Sequence, residues 1–176
     1  MKRDCERARQ NASGPAWWVE PGLQAVLAYR LGAWALRQPM WMRILADPLY
    51  HVLNFLVKAL WGIEISRQAR IGPGLYISHF GGITVSSLAV IGANCALAQQ
   101  VTVGVATAGG RFGAPVIGDD VYIAPGARVF GPIRIGNNVK IGANAVVHRD
   151  VPDDAVVALD PGFKILSYRG NRRRAA

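Results

Sequence analysis

Only two cysteines, Cys5 and Cys95, occur in the 176 residues, so no disulfide framework is indicated. Acidic side chains are also scarce, with 11 Asp and Glu against 20 Lys and Arg, a formal charge of +9. An excess of that sign suits an anionic partner: nucleic acid, a membrane surface or a phosphorylated small molecule. Nucleic acid ranks last and is not expected, because no nucleic-acid-binding motif is present and the arginines are not interleaved with aromatics. No uninterrupted apolar run of about 18 residues exists, which argues against a membrane-spanning helix. The first dozen residues are charged and lack the apolar core of a signal peptide, so a cytoplasmic location is expected. With 51% hydrophobic and 18% charged residues, the chain has ample material for a packed core and does not read as disordered.

What is present is a repeat. Ile117, Ile123, Val129, Ile135, Ile141 and Val147 recur at every sixth position. Four residues after each stands another small or aliphatic side chain: Val121, Ala127, Ile133, Val139, Ala145 and Val151. A period of six fits neither a helix nor a lone amphipathic strand. It is the signature of a solenoid in which three hexads make one triangular coil. Gly118, Gly136 and Gly142 follow their markers, and Asp119-Asp120 and Asn137-Asn138 supply residues that tolerate tight corners. Upstream the repeat steps through Ile65, Ile71, Ile77 and Ile83, slips by two residues, then resumes at Ile91, Leu97 and Val103. The interval from Val103 to Ile117 is fourteen rather than twelve and contains a Gly-rich stretch from Thr107 to Gly113, read as a loop thrown from a corner. The spacing predicts a mainly β chain, a parallel β-helix over residues 63–166.

Residues 1–15 read as a mobile polar leader, residues 16–62 as an α-helical segment and residues 167–176 as a basic tail. In the helical segment Leu23, Val26, Leu27, Leu31, Trp34 and Ala35 form one apolar stripe, with Arg30 and Arg37 off it. Pro39 closes that helix, and a second is expected to start near Met40 or after Asp47-Pro48 and to run to Gly62. All five Trp of the chain lie here. The segment reads either as a cap or oligomer contact that shields the open end of the solenoid, or as an interfacial helix in peripheral contact with a membrane.

Chemistry centres on His79. It stands two positions after Ile77, so its side chain points out of the prism, and Gly81-Gly82 leave room for a ligand. An imidazole, with an ordinary pKa of about 6.5, is the natural general base at neutral pH. Glu64, roughly one coil back, is the nearest acid to orient it. The segment Ile63–Val85 resembles the start of the left-handed β-helix of serine O-acetyltransferases. The likeness continues through Gln100–Gly104, the Gly109-Gly110 loop and Ile141–Val147. In that family the residue at His79 deprotonates the acceptor hydroxyl, and the acid at Glu64 pairs with it. The family's loop Arg and His fall on Gly113 and Ala114. That departure and the short Trp-rich preface look more like the related acetyltransferases of exopolysaccharide biosynthesis, such as the colanic acid type.

The resemblance implies a left-handed fold, a homotrimer, and acetyl-CoA lying between neighbouring β-helices. Its pantetheine arm would meet Ala124, Gly126, Gly142 and Ala143, and its phosphates Lys140, Lys164 or the Arg172–Arg174 cluster. The expected function is acetyl-CoA-dependent O-acetylation of a sugar hydroxyl in exopolysaccharide synthesis. The alternatives are a serine O-acetyltransferase of cysteine synthesis and a non-catalytic trimeric scaffold. No metal is expected, since His79 and His148 give no ligand triplet of the kind a catalytic zinc needs.

Overall fold

The computed structural model describes residues 1–11 and 17–159. Lys164 and the basic tail lie outside the described residues. Helix α1 (Lys2–Asn11), a short 3-10 turn (Trp17–Val19), α2 (Pro21–Ala35) and α3 (Met40–Trp61) precede a parallel β-helix of five coils. Coil one holds β1 (Ile63–Ile65), β2 (Arg70–Ile71) and β3 (Tyr76–Ile77); coil two holds β4 (Ile83–Val85), β5 (Val90–Ile91) and β6 (Ala96–Leu97). Coil three starts with β7 (Thr102–Gly104). It then throws out an antiparallel hairpin of β8 (Ala106–Ala108) and β9 (Arg111–Gly113), and closes with β10 (Val116–Ile117) and β11 (Tyr122–Ile123). Coil four comprises β12 (Arg128–Phe130), β13 (Arg134–Ile135) and β14 (Lys140–Ile141), and coil five β15 (Val146–Val147) and β16 (Val156–Val157).

The three walls follow from parallel pairing of equivalent strands. One wall is β1-β4-β7-β12-β15, the second β2-β5-β10-β13, and the third β3-β6-β11-β14-β16. Each inward marker stacks on its counterpart one coil away, as Ile71, Ile91, Ile117 and Ile135 do along the second wall. The second inward set, including Val101, Val121, Ala127 and Val139, is buried at the corners. Full burial of each large aliphatic contributes about 1.5–3 kcal/mol, so the column is the main source of cohesion. Corners are held by Asx side chains. Asp119 Oδ1 accepts from Ala93 N at 2.7 Å, Asn137 Oδ1 from Asp119 N at 2.8 Å, and Asp153 Oδ1 from Asn137 N at 2.7 Å. Their neighbours Asp120, Asn138 and Asp154 take the left-handed conformation, which these short polar residues tolerate.

The register relocates both irregularities of the repeat. Ile63 pairs with Ile83 and Ile65 with Val85, so the step from Ile77 to its successor Val85 is eight residues and that from Val85 to Ile91 is six. The two extra residues therefore lie before Ile83, in the corner that carries His79, and not after it. The stretch from Val103 to Ile117 spans one wall-to-wall step rather than two, because the hairpin Ala106–Gly113 consumes eight residues.

The helices close the coil-one end. Gly22 sits so near the Ile77 backbone that a Cβ would overlap its carbonyl, which sets α2 directly on β3. α3 begins at Met40 and keeps Pro48 inside it, ending where Gly62 adopts φ 61° and donates to the Lys58 carbonyl. The face that α2 buries is rotated from the expected stripe: Tyr29 and Ala28 are buried, Trp34 is exposed, and Arg30 turns toward the solenoid. Arg30 does so because it finds acceptors there, the Ile71 and Gly72 carbonyls at 2.6 Å each. The first residues form a docked helix instead of a mobile leader. Asp4 of α1 is fully buried, pairs with Arg30 at 2.9 Å and accepts from Gly74 N and Leu75 N at 2.9 and 3.0 Å.

Tyr29 completes this contact from within. Its buried hydroxyl donates to the Ala69 carbonyl at 2.8 Å and accepts from Ile71 N at 3.2 Å. Tyr29→Phe leaves both backbone groups without a partner and is expected to cost about 1–3 kcal/mol, read as a lower urea midpoint with unchanged slope.

Candidate active site

His79 lies in the five-residue corner between β3 and β4. The corner is pinned at both ends: Ser78 N donates to Leu97 O at 3.1 Å, and Ile83 N to Gly62 O at 3.1 Å. In between, Gly81 and Gly82 take φ 104° and 67°, conformations that any other residue would strain. Phe80 sets its ring edge-on against Trp61 at 5.3 Å, tying the corner to the end of α3. His79 itself is exposed and, among the described residues, makes no hydrogen bond or ion pair.

Glu64 points outward from β1, beside Thr84 of β4. Its carboxylate is taken by Lys58 of α3, Nζ to Oε1 2.7 Å. The hydrogen bond to His79 expected from sequence is therefore not formed in the single chain. The cause is local: the last turn of α3 brings a cation to Glu64 before any imidazole does. Catalytic hydrogen bonds of unliganded enzymes commonly tighten only around substrate, so this arrangement does not bar the pair. On its other side Glu64 borders a cleft of about 280 Å³ with Tyr50, His51, Asn54 and Arg67, which His79 does not line.

The predicted positions Ala124, Gly126, Gly142 and Ala143 fall on the same edge of the prism as His79. Gln100 N donates to Gly81 O at 2.7 Å, Gly126 N to Gln99 O at 3.0 Å, and Asn144 N to Pro125 O at 2.9 Å. Corners 78–82, 98–100, 124–126 and 142–144 are thus one continuous stack. At about 4.8 Å per step, the Gly142-Ala143 corner lies roughly 14 Å from that of His79. Ala124 is buried and Ala143 exposed; Gly126, at φ 74°, lies directly under the Asn144 side chain, where a Cβ has no room. Lys140 is exposed on β14.

Gln99 was not anticipated from sequence. Its Oε1 is buried on this edge without a hydrogen-bond partner, and only the stacking of corners reveals it. Gly113 and Ala114 stand at the base of the hairpin, Ala114 buried and Gly113 against Pro132. His148 is exposed and stacks on Phe130 at 6.3 Å. Among the described residues no group of three or more His, Cys, Asp or Glu is placed to hold a metal. Cys95 is buried and free, and burial pushes its thiol up to about 11.

Residues 114–149 match the bacterial transferase hexapeptide (six repeats) family. The chain is 37% identical over 167 residues to a serine acetyltransferase of Mycobacterium tuberculosis, covering 92% of this chain and 70% of the relative. The chain belongs to the serine acetyltransferase family. A second family member, from Synechococcus elongatus, is 37% identical over 153 residues, 87% of this chain and 59% of its own length. Among solved serine acetyltransferases, isoform 3 of Entamoeba histolytica in complex with cysteine superposes with a TM-score of 0.75 at 27% identity, over 94% of this chain and 59% of that one. The Neisseria gonorrhoeae enzyme in complex with serine gives 0.73 at 30%, over 91% and 65%. This chain thus spans about three fifths of the length of several serine acetyltransferases it matches. The finer likeness to exopolysaccharide acetyltransferases has no counterpart among these relatives, which carry the serine name.

Proposed function

We propose that the chain transfers an acetyl group from acetyl-CoA to a hydroxyl, with L-serine as the first acceptor to consider. The observation that supports this most is the single stacked edge. It sets the outward imidazole of His79 in line with the corners that carry Ala124, Gly126, Gly142 and the exposed Ala143. Lys140, and Lys164 beyond the described residues, are the cations offered to the phosphates.

In the proposed reaction His79 takes the proton from the acceptor hydroxyl as its oxygen attacks the thioester carbonyl carbon. The carbon–sulfur bond breaks, and the imidazolium returns the proton to the departing thiolate. Glu64 holds the ring and stabilises its charge once substrate draws the two together. Among the described residues the N–H groups of Gly81 and Gly82 donate to nothing, which leaves them free to face the developing oxyanion. A homotrimer completes the reading, a neighbouring copy walling the groove.

Thiol release from acetyl-CoA tests this directly. Robust turnover that requires L-serine is expected. A second reading, a sugar hydroxyl, is favoured by Gly113 and Ala114, which put no cationic side chain at the hairpin base. Turnover with sugars and none with serine would establish it. If acetyl-CoA at a hundredfold excess over a micromolar affinity fails to raise the melting temperature, although binding at that level contributes about 2.7 kcal/mol, a non-catalytic scaffold is the better account.

A further inference from the structure

Part of the chain's excess positive charge gathers in a cleft on the far side of the prism from His79. The His79 corner joins the third wall to the first, so the second wall is the one opposite it. There α2 and the outward residues of β2 and β5 enclose about 640 Å³, the size of a small-molecule site. Arg37 and Arg70 line this cleft, both exposed, and among the described residues neither makes a hydrogen bond or an ion pair. Arg30 and the Met1 ammonium border it too, but both are spent on Asp4, at 2.9 Å each. Among the described residues no acidic side chain lines it. Trp34, 44% exposed, and Ala33 on α2 face Val90 of β5 across the same space. Val90 pairs in register with Arg70, which sets the apolar part directly beside the cationic one.

We propose that this cleft binds a small phosphate monoester carrying a flat aromatic ring, a mononucleotide in size and charge. Guanidinium forks match the oxygens of a phosphate, and two of them balance its two negative charges. The ring lies against the Trp34 indole, since an aromatic side chain stacks on any base. Concavity favours a small molecule over a nucleic-acid strand, because no cationic track leads away along the wall: beyond Arg70 the next outward residues are Val90 and Val116. The cleft lies opposite the edge on which the acetyl-CoA groove is proposed, and the inference does not depend on that reading.

The test is isothermal titration of the full chain with adenosine monophosphate, adenosine and inorganic phosphate. Adenosine monophosphate is expected to saturate below about 1 mM and to bind at least about tenfold tighter than either fragment. The double variant Arg37→Ala, Arg70→Ala should lose about tenfold or more of that affinity, with an unchanged thermal midpoint because neither side chain bonds within the fold. Trp34→Ala should weaken the nucleotide and leave phosphate as it was. Saturating acetyl-CoA should leave the nucleotide affinity unaltered. Absence of saturable nucleotide binding, a double variant that binds equally well, or displacement of the nucleotide by acetyl-CoA overturns the proposal. Displacement would place the nucleotide in the acetyl-CoA groove and leave the reaction proposed above standing. If the wild type fails to bind and the double variant instead lowers the particle mass in light scattering, the cleft belongs to a contact between copies.

Discussion

Replacing His79 by asparagine is expected to lower kcat for acetyl transfer by about 10² or more. Asparagine keeps a polar side chain of similar reach but offers no nitrogen that can accept and return a proton at neutral pH. Because His79 is exposed and bonded to nothing among the described residues, the exchange should leave stability within about 0.5 kcal/mol. Loss of rate without loss of fold separates a catalytic base from a structural histidine. Binding of acetyl-CoA, followed by the melting temperature, should survive the substitution. An unchanged kcat with a competent acceptor would remove His79 from the mechanism. Glu64→Gln should give a smaller fall in kcat, since Glu64 acts through the ring.

The second large effect concerns folding. Arg30→Met should destabilise the chain by about 3–5 kcal/mol, the cost of breaking a buried pair from one side. Arg30 donates to both Asp4 oxygens and to the carbonyls of Ile71 and Gly72, and without it the fully buried carboxylate keeps only the N-terminal ammonium and two backbone amides. Burial alone would push the Asp4 carboxyl up. The hydrogen bonds and charges of Arg30 and the N-terminal ammonium outweigh it and hold the carboxyl below its ordinary 3.8. A carboxyl depressed in the folded state contributes stability that is complete above its unfolded value and is lost as pH falls through the folded one. The wild type should therefore lose this contribution only below about pH 3.8. Arg30→Met should move the acid limb upward, because burial then acts with less opposition. Urea titrations at neutral pH and near pH 4 measure both effects, and a variant as stable as the wild type at each pH would refute the account.

The two helical surprises share a cause. The hexads were legible because a fixed spacing on a three-walled prism admits one way of stacking, and Ile117–Val147 kept it without interruption. Helix α1 was not legible: Asp4 and Arg7 look like solvated charge until the carbonyl of Gly74 and the amides of Gly74 and Leu75 are known to await them. Arg30 was misjudged for the same reason, its partners being backbone groups some forty residues away. At the candidate site the outward pose of His79 and the small corner residues could be anticipated. The grip of Lys58 on Glu64 could not, as it depends on the angle at which α3 meets β1. Nor did spacing alone locate the two-residue slip, since Ile83 and Val85 are equally good inward residues and only pairing with Ile63 and Ile65 tells them apart.

That pairing has a wider consequence. Two extra residues at the His79 corner and eight in the hairpin leave the ladders above and below in register. A corner can therefore lengthen or shorten without retuning the aliphatic column, so insertions and deletions, ruinous in most folds, become a tolerated currency of variation here. A lineage built on such a frame is free to explore new acceptors by editing loop length while its interior stays fixed.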